Sequence, residues 1–195
     1  MFRLKIWVSL ATAMILGMSA LGAVPAWGAP GDYLVRRLNL VGDATVVASA
    51  PSTNFGDSRW LRVRAGESMA YLKFRTPPFL RRVSIEAVDL WLTSPTGSRC
   101  AEFSTDVFTT ATDWEEDTIT WANAPGRGTY EGAPHFYPDG RVVVWTIADL
   151  WSGKFVSFLL KMRESCTNTE RYRSSEHGSG EPYLLVSYLQ EHWVP

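Results

Sequence analysis

The chain has little cysteine, little histidine and almost no net charge. Its 195 residues hold two cysteines and three histidines, and the formal charge is -1. That balance excludes a partner held by overall charge, such as nucleic acid. His135, His177 and His192 are scattered, none at i, i+4 spacing, so no histidine metal cluster stands out. No G-x-S-x-G nucleophile motif occurs. Internal repeats, low-complexity segments and long amphipathic helical patterns are missing too. Past residue 30 no run is apolar enough to span a membrane. Aromatic residues, in contrast, are abundant: nine Trp, nine Phe and seven Tyr. Disordered chains lack such a complement, and the length suits one domain with a real core.

Residues 1–28 read as a secretory signal peptide. Arg3 and Lys5 give a basic start, and Ile6 to Leu21 is apolar. Val24-Pro25-Ala26 and Ala26-Trp27-Gly28 both offer small residues for cleavage. A membrane anchor is the alternative, since the uncharged run Ile6 to Pro30 exceeds the roughly 20 residues a span needs. The paired small-residue sites favour cleavage and a secreted, extracellular protein that keeps no membrane segment. No Cys follows the leader, so no lipid anchor is expected there. Setting aside Arg3 and Lys5 takes the basic count from 19 to 17 against 20 acidic residues, a mature charge of -3.

In an exported chain the even pair Cys100 and Cys166 favours a disulfide. Closing so long a loop adds about 4 kcal/mol in the chain-entropy model. Two buried thiols are the alternative. A metal site lacks neighbouring Cys or His at ligand spacing.

From about Tyr33 onward the chain reads as short strands between turns. Trp60 to Arg64 alternates, with Leu61 and Val63 in and Arg62 and Arg64 out. Ala70 to Arg75 places Leu72 and Phe74 in, and Tyr71, Lys73 and Arg75 out. Val83 to Leu92 reads as a central strand covered on both sides. Glu102 to Thr110, Arg141 to Trp145, Phe155 to Met162, Arg171 to Ser175 and Tyr183 to Leu189 are further strands. Ile147 to Trp151 fits a short helical turn. Gly126 to Gly140, rich in glycine and proline, reads as an irregular excursion. The expected fold is an all-β, two-sheet jelly-roll-like β-sandwich, one domain over residues 31–190.

One stretch organises the rest, Trp114-Glu115-Glu116-Asp117-Thr118-Ile119-Thr120-Trp121-Ala122-Asn123-Ala124-Pro125. It reads as an acidic loop followed by a β-type run with Ile119 and Trp121 on one face. Trp114 and Trp121 are the expected core aromatics, Trp121 inside and Trp114 at the rim. A binding platform built from Trp114 and the acidic loop is the sharper alternative to scaffold.

The W-x-E-x-x-T-I-T-W-x-N-x-P pattern of that stretch resembles the hallmark of the secreted DNRLRE domains, which overlap carbohydrate-binding module family 96. Gly42-Asp43-Ala44-Thr45-Val46, Asn54-Phe55-Gly56, Leu61-Arg62-Val63, Tyr71-Leu72-Lys73-Phe74 and Pro182-Tyr183-Leu184-Leu185-Val186 follow the same pattern in order. Two places depart from it. Arg75 stands where the family often has Asp, and the late S-R-E appears as Ser174-Ser175-Glu176. The resemblance implies non-catalytic binding of acidic polysaccharide, with alginate the best-known ligand class.

The residues supply a physical counterpart. Arg62, Arg64, Tyr71, Lys73 and Arg75 would form an outward basic patch with one aromatic, if their two strands share a sheet. Arginine pairs bidentately with carboxylate, and Tyr packs on a sugar face. An ordinary solvated strand face is the plainer reading.

A divergent polysaccharide lyase is one rival function, and a structural cell-surface or matrix domain with a protein partner is another. Glu115, Glu116 and Asp117 are poor glycosidase candidates, because adjacent loop acids do not face each other across the required gap of about 5 to 9 Å. Calcium would find Asp43, Asp113 and Asp117 as candidates by type alone. No ligand loop of fixed spacing is present, so neither metal nor cofactor is assigned. A monomer is expected.

Overall fold

The computed structural model describes residues 32–95, 104–132, 134–136, 141–147 and 153–190. The leader, Cys100, His192 and most of the turn expected at Ile147–Trp151 lie outside the described residues. Eleven strands occur among those described, with no α-helix: β1 Asp32–Val47, β2 Trp60–Val63, β3 Ser68–Arg75, β4 Ser84–Thr93, β5 Thr105–Thr110, β6 Arg127–Gly132, β7 His135–Phe136, β8 Val142–Thr146, β9 Phe155–Met162, β10 Glu170–Arg173 and β11 Tyr183–Gln190.

β1 joins the two halves of the sandwich. Its first part, Asp32 to Asn39, pairs antiparallel with β11. Its second part, Leu40 to Val47, pairs with β3, and the register shifts between Leu40 and Gly42. An extra residue at such a point bends a strand and lets it pass from one sheet to the next. The nine-stranded order is β6-β5-β9-β3-β1-β11-β4-β8-β7, curled about β1. The first layer is β1-β11-β4-β8-β7, and the second is β1-β3-β9-β5-β6. A separate ribbon of β2 and β10 adds its buried Leu61, Val63 and Tyr172 to the core between the layers.

The core follows from alternation. Leu72 and Phe74 of β3, Val88, Leu90 and Leu92 of β4, Phe158 and Leu160 of β9, and Leu184 and Val186 of β11 all face inward. Trp145 is fully buried, donates from Nε1 to the Thr105 carbonyl at 3.1 Å and meets Tyr172 edge-on. The phenol of Tyr172 in turn donates to Glu170 at 2.6 Å. The sequence reading of β4 as covered on both faces needs correction, because Ile85, Ala87, Asp89 and Trp91 are only half-buried.

The second layer is unusual in burying its other face as well. Ala44, Val46, Tyr71 and Leu159 form a second apolar cluster, roofed by Trp114 and Ile119. The roof is the acidic stretch, and it is not a strand: residues 111–126 run as turns and irregular backbone. The expected facing is reversed too. Trp114 is 5% exposed, while Trp121 is half-buried at the edge of the cluster. Part of the Gly126 to Gly140 excursion is regular, since Arg127–Gly132 forms β6 on the edge beside β5.

Candidate functional site

The roof is fastened by the motifs singled out in the sequence. Asn54 donates its side-chain amide to the carbonyls of Glu116 and Ile119, each at 2.7 Å. Its own carbonyl oxygen accepts from the Gly56 N–H at 3.0 Å. Gly56 has to be glycine, because a Cβ there would lie 2.6 Å from the Glu116 carbonyl oxygen. Asn123 closes the far end. Its oxygen accepts from Thr120 N–H at 2.7 Å, and its amide donates to the Thr118 carbonyl at 3.0 Å. Tyr71 donates its hydroxyl to the Pro125 carbonyl at 2.8 Å. The sharper reading of Trp114 and the acidic loop as a platform therefore gives way to scaffold, since Trp114 is buried beneath its own loop.

Three carboxylates converge where the roof meets β1. Asp43 is fully buried and accepts from Ser175 N–H at 3.0 Å and Ser175 Oγ at 3.3 Å. Glu116 accepts from the Asp43 N–H at 3.1 Å. Burial, reinforced by the charges of Glu176 and Glu116, outweighs the Ser175 hydrogen bonds and raises Asp43 to about 8. Burial also raises Glu116, helped by Glu176 and Asp57. Asp43, Glu116 and Glu176 offer oxygens within 4.8 Å of one another, so among the described residues they are the group whose donors suit a hard cation. Asp43 was a candidate by type. Asp113 and Asp117 are exposed on the roof and take no part.

The five residues expected to form one basic patch are divided by the fold. Arg62 belongs to the β2 ribbon and Arg64 to the turn after it, where it bridges to Ser68, whereas Tyr71, Lys73 and Arg75 belong to β3 in the second layer. Tyr71 and Lys73 do not project into solvent, being 1% and 4% exposed. The roof covers them, which alternation alone does not reveal. Lys73 donates to the Trp114 carbonyl, lies 3.4 Å from Glu115 and sits 4.7 Å from the centre of the Trp114 ring. Arg64 is exposed and paired with Glu67 at 2.9 Å. It lines a shallow depression with Glu67, Glu164 and Thr167, where acids outnumber it.

Of the five, Arg62 and Arg75 remain on basic surfaces among the described residues. On the ribbon, Arg62 and Arg171 stand directly opposite each other in the register of β2 and β10. Their strand neighbours Leu61, Val63 and Tyr172 point inward, so both arginines face out. The Arg62 guanidinium lies 5.5 Å from the centre of the Phe55 ring, and Trp60 packs edge-on against His177 at 4.6 Å. At the end of β3, Arg75 is exposed and paired in register with Phe155. Lys154 flanks the same ring. The sequence reading missed Arg171, Lys154 and Phe155. Only long-range strand pairing brings them to Arg62 and Arg75.

The family described as carbohydrate-binding module family 96 matches residues 35–188. No curated protein matches the chain.

Proposed function

The chain belongs to carbohydrate-binding module family 96, and we propose that it is a secreted, non-catalytic module for an acidic polysaccharide of the alginate type. The observation that carries the ligand class is the pair Arg62 and Arg171. Two guanidinium groups set opposite each other across a ribbon repel, and such pairs destabilise a sheet. Neither is in an ion pair among the described residues. A polyanion relieves that repulsion, and each guanidinium can grip a carboxylate bidentately. Phe55 beneath Arg62 helps to hold one of the two forks in place.

The scaffold fits this role. The ribbon is anchored inward through Leu61, Val63 and Tyr172, so its outer face is presented on rigid strands. Export through the leader and a Cys100–Cys166 disulfide belong to the same proposal. A polysaccharide array probed with the mature chain tests it. Retention on uronate polymers without loss of viscosity or new unsaturated ends is expected. Unsaturated ends would make the protein a lyase, and retention on no glycan would overturn the proposal.

A further inference from the structure

We propose a second subsite for anionic sugars at Phe155, separate from the ribbon. This deepens the reading of the chain as a binder of acidic polysaccharide and rests on it. Three cations surround one ring. The Lys154 ammonium lies 5.4 Å, the Arg75 guanidinium 5.6 Å and the Lys73 ammonium 5.8 Å from the Phe155 ring centre. Among the described residues Lys73 pairs with the acid Glu115, at 3.4 Å. Among the described residues neither Arg75 nor Lys154 is in an ion pair. Positive charge is therefore concentrated here beyond what the protein neutralises.

The cations are held by the fold. Arg75 is the register partner of Phe155 at the end of β3. Thr76 fixes the adjoining backbone, donating from N–H to the Lys154 carbonyl at 3.0 Å and from Oγ1 to the Gly153 carbonyl at 2.7 Å. Lys73 is buried, and its ammonium is anchored on the Trp114 carbonyl. Buried Lys73 thus sets a fixed positive floor, and exposed Arg75 and Lys154 are free to close on a ligand.

Glu115 marks the anion position. Its side chain is 77% exposed, although its carboxylate neighbours the buried ammonium. So exposed an acid is weakly held. It occupies the place that a ligand anion would take, and a bound carboxylate or sulfate would compete with it for Lys73. The ligand is a pyranose bearing an anionic substituent, a uronate carboxylate or a sulfate ester.

The experiment uses the mature chain carrying Arg62→Ser and Arg171→Ser, so that the ribbon is silent. Calorimetric titration with an oligomannuronate, and in parallel with a sulfated galactan oligosaccharide, reads the remaining site. Adding Arg75→Ser and Lys154→Ser should lower affinity about tenfold, since exposed ion pairs are individually modest. Glu115→Gln should instead raise it about threefold by removing the competitor. All three side chains are exposed, and a thermal melt confirms folding. Binding of the oligomannuronate alone assigns the site to uronates, and binding of both assigns it to anionic sugars in general. If the parent binds but the ribbon variant binds neither oligosaccharide, the Phe155 subsite is overturned and the ribbon reading stands. It is overturned equally if binding persists unchanged in the Arg75 and Lys154 variant, or if Glu115→Gln fails to tighten it.

Discussion

Asn54 donates its side-chain amide to the carbonyl oxygen of Glu116 at 2.7 Å, joining the turn after β1 to the roof of the second layer. The same amide reaches the Ile119 carbonyl at 2.7 Å. One short side chain therefore satisfies two backbone acceptors that no strand partner serves. Asn54→Ala should cost about 2 to 3 kcal/mol, because it leaves part-buried carbonyls unpaired. Gly56→Ala should also destabilise, through collision with the Glu116 carbonyl. Denaturant midpoints of both variants at unchanged slope check this, and a parent-like midpoint for Asn54→Ala would contradict it.

The two tryptophans of the roof should separate in the same assay. Trp114 is 5% exposed and meets Tyr71 edge-on with ring centres 5.9 Å apart. Its replacement by Ala opens a cavity over the second cluster and should cost about 3 to 5 kcal/mol. Trp121 packs at the edge of that cluster, so Trp121→Ala should cost clearly less. Equal losses, or a greater loss for Trp121, would mean that the roof sits differently.

Stability should depend on pH through Asp43. Its folded value of about 8 lies above the unfolded value of about 3.9. The folded state therefore holds a proton that the unfolded chain releases. Stability from this group is fully present below about pH 4 and is lost as pH rises to about 8. Glu116, also raised, acts in the same sense. Thermal midpoints should fall between about pH 5 and about pH 8, and Asp43→Asn should flatten that slope. A parent midpoint that rises over this interval, with the same slope in Asp43→Asn, would contradict the placement of the triad.

Cys166 is buried at the end of a turn in which its N–H donates to the Arg163 carbonyl at 3.1 Å. Non-reducing peptide mapping of the exported protein should recover Cys100 and Cys166 in one linked species. Alkylation of both thiols without reduction would refute the bridge.

Much of the architecture was legible because alternation is a local signal. β3, β4, β9 and β11 each show it, and their inward residues form the core. The same signal misled at Tyr71 and Lys73. Alternation tells which residues share a face and is silent on whether a distant loop covers it. Thr118 to Trp121 also alternates, yet Asn54 and Asn123 hold it in turns through side-chain hydrogen bonds. β6 was hidden by its glycines and pairs with β5 through two register shifts. The partner of Arg62 lies far along the chain in β10, which no short-range pattern discloses.

We place the acidic polysaccharide on Arg62 and Arg171, and affinity electrophoresis checks that placement. The mature chain and its Arg62→Ser, Arg171→Ser variant are run through gels containing alginate, with a neutral glucan gel as reference. Both side chains lie on the outer face of the ribbon, so the variant should stay folded within about 0.5 kcal/mol. Alginate should retard the parent, the retardation should weaken as salt screens charges beyond about 8 Å, and the variant should lose most of it. A folded variant retarded as strongly as the parent, or a parent that alginate does not retard, would rule that placement out.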